Sequence, residues 1–163
     1  MIREISQSEF EPFVELMGEV ECGTEFDPAN PEHDAWIREA ISHRYGAGAR
    51  FYALYEDDAP AAVAGFVIEK ILTTKWSRCE LLDIGVIKKH RRKGYGTVLL
   101  AFVEDQARAA GCWSLHLKTY SADYEAVAFY MRNGYAVVGN VESTNGPDDF
   151  GDVWLAKVLA ENE

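Results

Sequence analysis

Apolar and polar positions alternate over residues 2–5, a period of two that marks a short first strand. Phe10, Phe13, Val14 and Met17 then recur at helical spacing, predicting a helix to about Val20. Ser8 with Glu11 three residues on has the form of a capping box for it. The next stretch, ECGTEFDPANPEHD, is broken by Gly23, Pro28 and Pro31 and reads as a loop. Trp36, Ile37, Ala40 and Ile41 form the apolar stripe of a second helix, from about 31 to 45, closed by Gly46 and Gly48. Residues 51–55 and 62–71 read as strands joined by the turn EDDAP, an antiparallel hairpin. A turn over 73–78 leads into a strand at 80–87. After it Val98, Leu99, Phe102, Val103, Gln106 and Ala107 mark a long helix from Tyr95, with Gly111 as its C′ residue. A strand over 113–118, a helix over 123–132 closed by Asn133-Gly134, and strands over 135–140 and 153–159 complete the chain. A turn at Asn145-Gly146-Pro147-Asp148 separates the last two strands. The order β-α-α-β-β-β-α-β-α-β-β predicts a mixed α/β fold. With 163 residues and neither a linker nor a repeat, a single domain over 1–163 is expected.

One stretch, ELLDIGVIKKHRRKGYG from Glu80 to Gly96, departs from the rest in charge. The chain has a formal net charge of −11, yet Lys88, Lys89, Arg91, Arg92 and Lys93 put five cations around His90 in six consecutive positions. Gly94 and Gly96 follow, free of side chains, so that φ > 0 is permitted and a ligand can approach the backbone. The first-turn N–H groups of the next helix lack intrahelical acceptors, and its dipole adds positive potential. A strand, a cationic Gly-rich turn and a helix N-terminus together suit a phosphorylated ligand. The charges alone slightly favour a solvated basic turn; together with the glycines and the helix start they favour the ligand. A P-loop is excluded, because no Lys follows Gly96. The dinucleotide fingerprint fails at Leu99, where it requires a third glycine.

What is present is R-x-x-G-x-G, Arg91 through Gly94 to Gly96, after a strand that ends in Val86. This resembles the acetyl-CoA-binding motif of the GNAT superfamily of N-acetyltransferases, and the order of elements is similar to that family's over essentially the whole chain. The resemblance implies a GNAT-like fold: a central, mostly antiparallel sheet with a V-shaped splay, flanked by helices. It implies acetyl-CoA as co-substrate, its diphosphate on the N–H groups of Arg91, Arg92, Lys93, Gly94, Tyr95, Gly96 and Thr97. It also implies that the pantetheine arm pairs with the strand end around Ile84 and Val86, and that a backbone N–H near Val86 serves the oxyanion.

Acetyl transfer to an amine needs a neutral amine, attack geometry, an oxyanion donor and a proton for the leaving thiolate. The segment DYEAVAFYMRNGY resembles the family's A-x-x-x-Y helix and N-G-[FY] turn, with Ala126, Tyr130 and Asn133-Gly134-Tyr135 in place. By that resemblance Tyr130 is the general acid; a phenol with a pKa near ~10 keeps its proton at neutral pH. The other reading of Tyr130 is a core tyrosine like its neighbour Phe129. Asp123 stands where the family usually has Asn. Glu80, six residues before Val86, matches the place of a general-base glutamate in some members. Asp83 competes, and on an extended strand the two point to opposite faces. His116 and Tyr120 are further candidates.

The acidic balance argues against general nucleic-acid binding. The charged N-terminus MIREIS is unlike a signal peptide, and no run reaches the length of a membrane span. Cys22, Cys79 and Cys112 have no metal or redox spacing and read as small apolar residues of a cytoplasmic protein. No metal is expected. The acceptor segments by resemblance, 19–34 and the loop with Asp148, Asp149 and Asp152, are acidic and would attract a cationic amine. The expected partners are a small-molecule or peptide amine and acetyl-CoA, with a homodimer admitted and no nucleic acid or membrane. A non-catalytic acyl-CoA-binding module on the same fold is the alternative. A peptide-interaction domain using an open sheet edge is a more distant one.

Overall fold

The computed structural model describes residues 1–143, 146, 147 and 149–160. Seven strands and four α-helices follow in the expected order: β1 Ile2–Ile5, α1 Val14–Cys22, α2 Pro31–Gly46, β2 Arg50–Glu56, β3 Ala59–Lys70, β4 Ser77–Val86, α3 Tyr95–Ala109, β5 Cys112–Tyr120, α4 Tyr124–Arg132, β6 Ala136–Val141 and β7 Asp152–Val158. The strands form one mixed sheet in the order β1-β2-β3-β4-β5-β7-β6. The β1–β2, β2–β3, β5–β7 and β6–β7 pairs are antiparallel, and β4–β5 is parallel. Of the turn expected over 145–148, Asn145 and Asp148 lie outside the described residues.

Several local readings are corrected. The capping box is Ser6–Glu9, not Ser8–Glu11: the Glu9 carboxylate accepts from the Ser6 N–H at 2.9 Å. That N–H holds the Glu9 pKa down to about 2, helped by Arg3. β1 ends at Ile5, so Ser6 is the first residue free to cap. Two 3₁₀ turns, Gln7–Glu9 and Glu11–Phe13, then precede α1. Trp36 on α2 and Val98 on α3 are exposed, although both fell on the predicted stripes; Ile37, Ile41, Leu99, Leu100, Val103 and Ala107 carry the burial. Cys22 is exposed, whereas Cys79 and Cys112 are buried. Burial pushes the Cys79 thiol up to about 12, so it stays protonated and inert.

The chain groups into two compact units. One comprises Met1–Val67 and Leu82–Val103. Its core gathers Ile5, Phe10, Phe13, Met17, Ile37, Ile41, Phe51 and Val63. Phe10 meets Phe51 edge-on at 5.0 Å between ring centroids, an arrangement that aromatic quadrupoles favour. The other comprises Ile68–Leu81 and Glu104–Glu163. It buries Leu115, Leu117 and Leu155, with Leu117 opposite Leu155 across the β5–β7 ladder. Here the buried Glu104 accepts from Lys157 Nζ at 2.9 Å on both oxygens and from the Tyr135 hydroxyl at 3.1 Å. The carboxylate is thus paired and hydrogen-bonded, which is what a buried charge requires.

Candidate functional site

β4 delivers the chain to a 3₁₀ turn at Lys88–His90, and the cationic stretch then bends into α3. Two residues make the bend. Arg92 has φ 64° and Gly94 has φ 80°, both left-handed. For Gly94 this conformation is free of strain; for Arg92 it costs about 1–2 kcal/mol, so its surroundings must hold it there. Gly96, expected beside Gly94 as a conformational release, instead lies in the first turn of α3. Val98 N–H bonds back to the Gly94 carbonyl at 3.0 Å. The amides of Tyr95, Gly96 and Thr97 precede that bond at the positive end of the helix dipole. A Cβ at Gly94 would meet nothing within 4 Å, so the turn is open on that side.

The five cations fall into two groups. Arg91 Nε donates to the Val86 carbonyl at 2.9 Å, and its Nη2 to Glu19 of α1 at 2.6 Å. Lys93 Nζ lies 2.9 and 2.8 Å from the two oxygens of Glu56, at the end of β2. Lys88, Lys89 and Arg92 make no ion pair among the described residues, and Arg92 is exposed. Glu56 is the hub. It also accepts from the Tyr95 hydroxyl at 2.5 Å and from Nδ1 of the buried His90 at 2.6 Å. The Lys93 ammonium, then Tyr95 and His90, hold its carboxyl down to about 2. The sequence reading missed Glu56, as no local signal sets it apart in the turn EDDAP. Its partners arrive from 34 to 39 positions away.

The Glu80 and Asp83 side chains separate as an extended strand requires. Asp83 is buried at 2 % exposure, while Glu80 is half-buried. Arg44 Nε of α2 lies 2.8 Å from Asp83 Oδ2, and the same guanidinium pairs with Glu21 of α1. Neither Asp83 oxygen has a well-formed hydrogen bond among the described residues. Burial raises the Asp83 pKa well above the usual range, against the pull of Arg44 and with a further push from Glu21. Asp83 is therefore an interior group of that unit. In the other unit, the β4–β5 register puts Glu80 directly beside His116, with Oε2 and Nε2 3.8 Å apart. The His116 ring lies 6.1 Å from that of Trp154 on β7.

Tyr130 is buried on α4 at 8 % exposure, edge-on to Phe129 at 5.2 Å and to Tyr135 at 5.9 Å. The Asn133-Gly134-Tyr135 turn is pinned to it: the N–H groups of Asn133 and Tyr135 donate to the Tyr130 carbonyl at 3.0 and 3.1 Å. Asp123 has a structural task. Its Oδ1 caps α4 by accepting from the Ala126 N–H at 3.0 Å, a role in which Asn and Asp serve about equally. Of the acidic 19–34 segment, Glu19, Glu21 and Asp34 are engaged with arginines, and Asp27 Oδ1 accepts from the Ala29 N–H.

The sheet order and the flanking helices make a mixed α/β fold. The sequence profile described as Acetyltransferase (GNAT) family matches residues 2–135. The chain belongs to that family. A curated relative from Bacillus subtilis (strain 168), the uncharacterized protein YdhI, is 37% identical over 57 residues. That match covers 35% of this chain and 34% of the relative, so it spans about a third of the relative's length. Among solved structures, aminoglycoside 6'-acetyltransferase type Ii is similar with a TM-score of 0.77 at 21% identity, covering 100% of this chain and 99% of that one. An aminoglycoside 6'-N-acetyltransferase complexed with coenzyme A is similar with a TM-score of 0.73 at 17% identity, covering 100% and 99%. No helix among the described residues is long and apolar enough to cross a membrane.

Proposed function

We propose that this chain is an acetyl-CoA-dependent N-acetyltransferase that moves the acetyl group directly to a primary amine. The observation that carries this reading is the turn at 91–97. Left-handed Arg92 and Gly94 lead into the first turn of α3, with Lys88, Lys89 and Arg92 outside any described ion pair. Main-chain N–H groups and cations gathered in this way suit a diphosphate. Arg91, Arg92, Lys93, Gly94, Tyr95, Gly96 and Thr97 would hold that part of the co-substrate, and Ile84 and Val86 the pantetheine arm. When bound, acetyl-CoA supplies an activated thioester.

The chain's own residues have two proton tasks. Over the reaction an ammonium acceptor gives up two protons, one to become a nucleophile and one as the amide forms. One proton is needed on the CoA sulfur as the C–S bond breaks, and the other leaves to solvent. Glu80 is the proposed base, and the imidazole of its neighbour His116 offers the proton a second group on which to rest before it leaves to solvent. Tyr130 is the proposed acid, on the strength of the A-x-x-x-Y match and its turn. Asp83 is left out of the base role, because it is buried at the side of Arg44, where an acceptor amine has no access to it. The acceptor is a small cationic molecule or a peptide amine, supported by the acidic composition of the 19–34 segment.

The test is mass spectrometry of an amine panel incubated with acetyl-CoA, with Tyr130→Phe in parallel. The expected result is a product 42 Da heavier than its amine, with the variant's turnover reduced about 10²-fold or more, the usual scale of general acid catalysis. Equal product from the variant would remove Tyr130 from the mechanism. No product from any amine, in a protein that still binds CoA, would favour the acyl-CoA-binding module.

A further inference from the structure

The Glu56 carboxylate presents a paradox for an anion site. It is a negative group next to the turn proposed to receive a diphosphate, and electrostatics alone would select against it. Its contacts account for its presence. His90 Nδ1, Lys93 Nζ and Tyr95 Oη all converge on its two oxygens, at 2.6, 2.8–2.9 and 2.5 Å. These three residues bracket Arg92 and Gly94, the two left-handed positions of the turn. Residues 91–94 are all exposed, so burial does not hold them in place. The ring of His90, just before them, is buried, and its Nε2 has no hydrogen-bond partner among the described residues, so the Glu56 contact is the ring's polar anchor.

We propose that Glu56 is a positioning residue for the diphosphate-binding turn. It draws His90, Lys93 and Tyr95 to one side, fixes the left-handed conformations between them, and leaves the turn's N–H groups preorganised for the ligand. Lys93 neutralises its charge, while Lys88, Lys89 and Arg92 remain for the phosphates. The Lys93 ammonium therefore serves the turn's shape, and its own contribution to the site is through its backbone. The inference rests on the acetyl-CoA reading above. Its energetic content is preorganisation: a turn already in its bound conformation spares the ligand the cost of ordering it.

The test uses the full chain and two variants, Glu56→Ala and Glu56→Gln. Titration calorimetry with CoA reads the dissociation constant and the active fraction separately. Kinetics compare acetyl-CoA with S-acetylpantetheine, which lacks the diphosphate. The expected result is a CoA dissociation constant weaker by about tenfold for Glu56→Ala, with Glu56→Gln between it and the parent because the amide oxygen still accepts hydrogen bonds. Turnover at saturating acetyl-CoA, and kcat/KM with S-acetylpantetheine, should change by less than about twofold, since the loss concerns ligand ordering alone. Unchanged or tighter CoA binding by Glu56→Ala would overturn the proposal and leave the acetyl-CoA reading standing. Parallel losses with both acyl donors, or a lower active fraction at constant affinity, would make Glu56 merely structural and also overturn it. A parent protein that binds no CoA would overturn the acetyl-CoA reading itself, and the proposal with it.

Discussion

Two carboxylates three positions apart on one strand have opposite surroundings. Glu80 is half-buried beside His116, and Asp83 is enclosed beside Arg44 and Glu21. That they face apart follows from the period of a strand and could be read in the sequence. Which face is interior could not, because that depends on α1 and α2 bringing Glu21 and Arg44 from about 60 and 40 positions away. The raised Asp83 pKa has a signed consequence. A carboxyl that prefers its proton in the folded state contributes stability that is fully present below its unfolded pKa near ~4 and is lost as pH rises through the folded value. Asp83→Asn removes this titration. The difference in Tm, variant minus parent, is expected to grow more positive as pH rises above about 5. Thermal unfolding across a pH series checks it, and a pH-independent difference would show that Asp83 is ionised in the fold.

Among the elements, the β2–β3 hairpin shows how packing selects a residue that propensity would reject. Glycine is poor in strand interiors, yet Gly65 sits in the middle of β3, opposite Phe51 of β2. A Cβ there would come within 2.2 Å of the Phe51 ring. Phe51 is fully buried against Phe10 and Tyr45 and has no room to swing away. Gly65→Ala should therefore destabilise by about 1–3 kcal/mol, the cost of overpacking, despite alanine's lower backbone entropy. Urea unfolding measures it, and a neutral or stabilising change would mean the ring is mobile. The hairpin's turn was legible as a turn in EDDAP. Its type was not, because Asp57 and Asp58 both take positive φ, at 48° and 62°, without the glycine that usually announces a type I′ geometry. The capping boxes show the same limit. Ser6–Glu9 and Ser8–Glu11 match one pattern, and only the end of β1 decides between them.

Across the whole molecule, the net charge of −11 coexists with a local cationic turn. The structure consumes part of each: Glu19 and Glu56 hold Arg91 and Lys93, and Arg38 and Arg44 hold Glu11, Asp34 and Glu21. Under the proposed function, what remains of the acidic field would steer a cationic acceptor inward. KM for a dicationic amine should rise severalfold, and more than that of a singly charged amine, between ~50 and ~300 mM salt as the Debye length shortens. Initial-rate kinetics at fixed, saturating acetyl-CoA check this. Equal salt responses for the two amines would remove electrostatic steering from acceptor selection.

By itself the sequence determined the order and type of the elements, because hydrophobic period is a local property that survives without knowledge of the partners. It also singled out the stretch proposed to receive an anion, since five cations, two glycines and a helix start are contiguous. The tertiary structure alone decided which of those cations are committed, that Glu56 gathers three side chains of the turn, that Glu80 stands beside His116, and that Asp83 is interior. Each of these depends on groups more than 30 residues apart meeting at hydrogen-bond or ion-pair distance. Strand register and helix docking set such distances, and no periodicity in the chain encodes them.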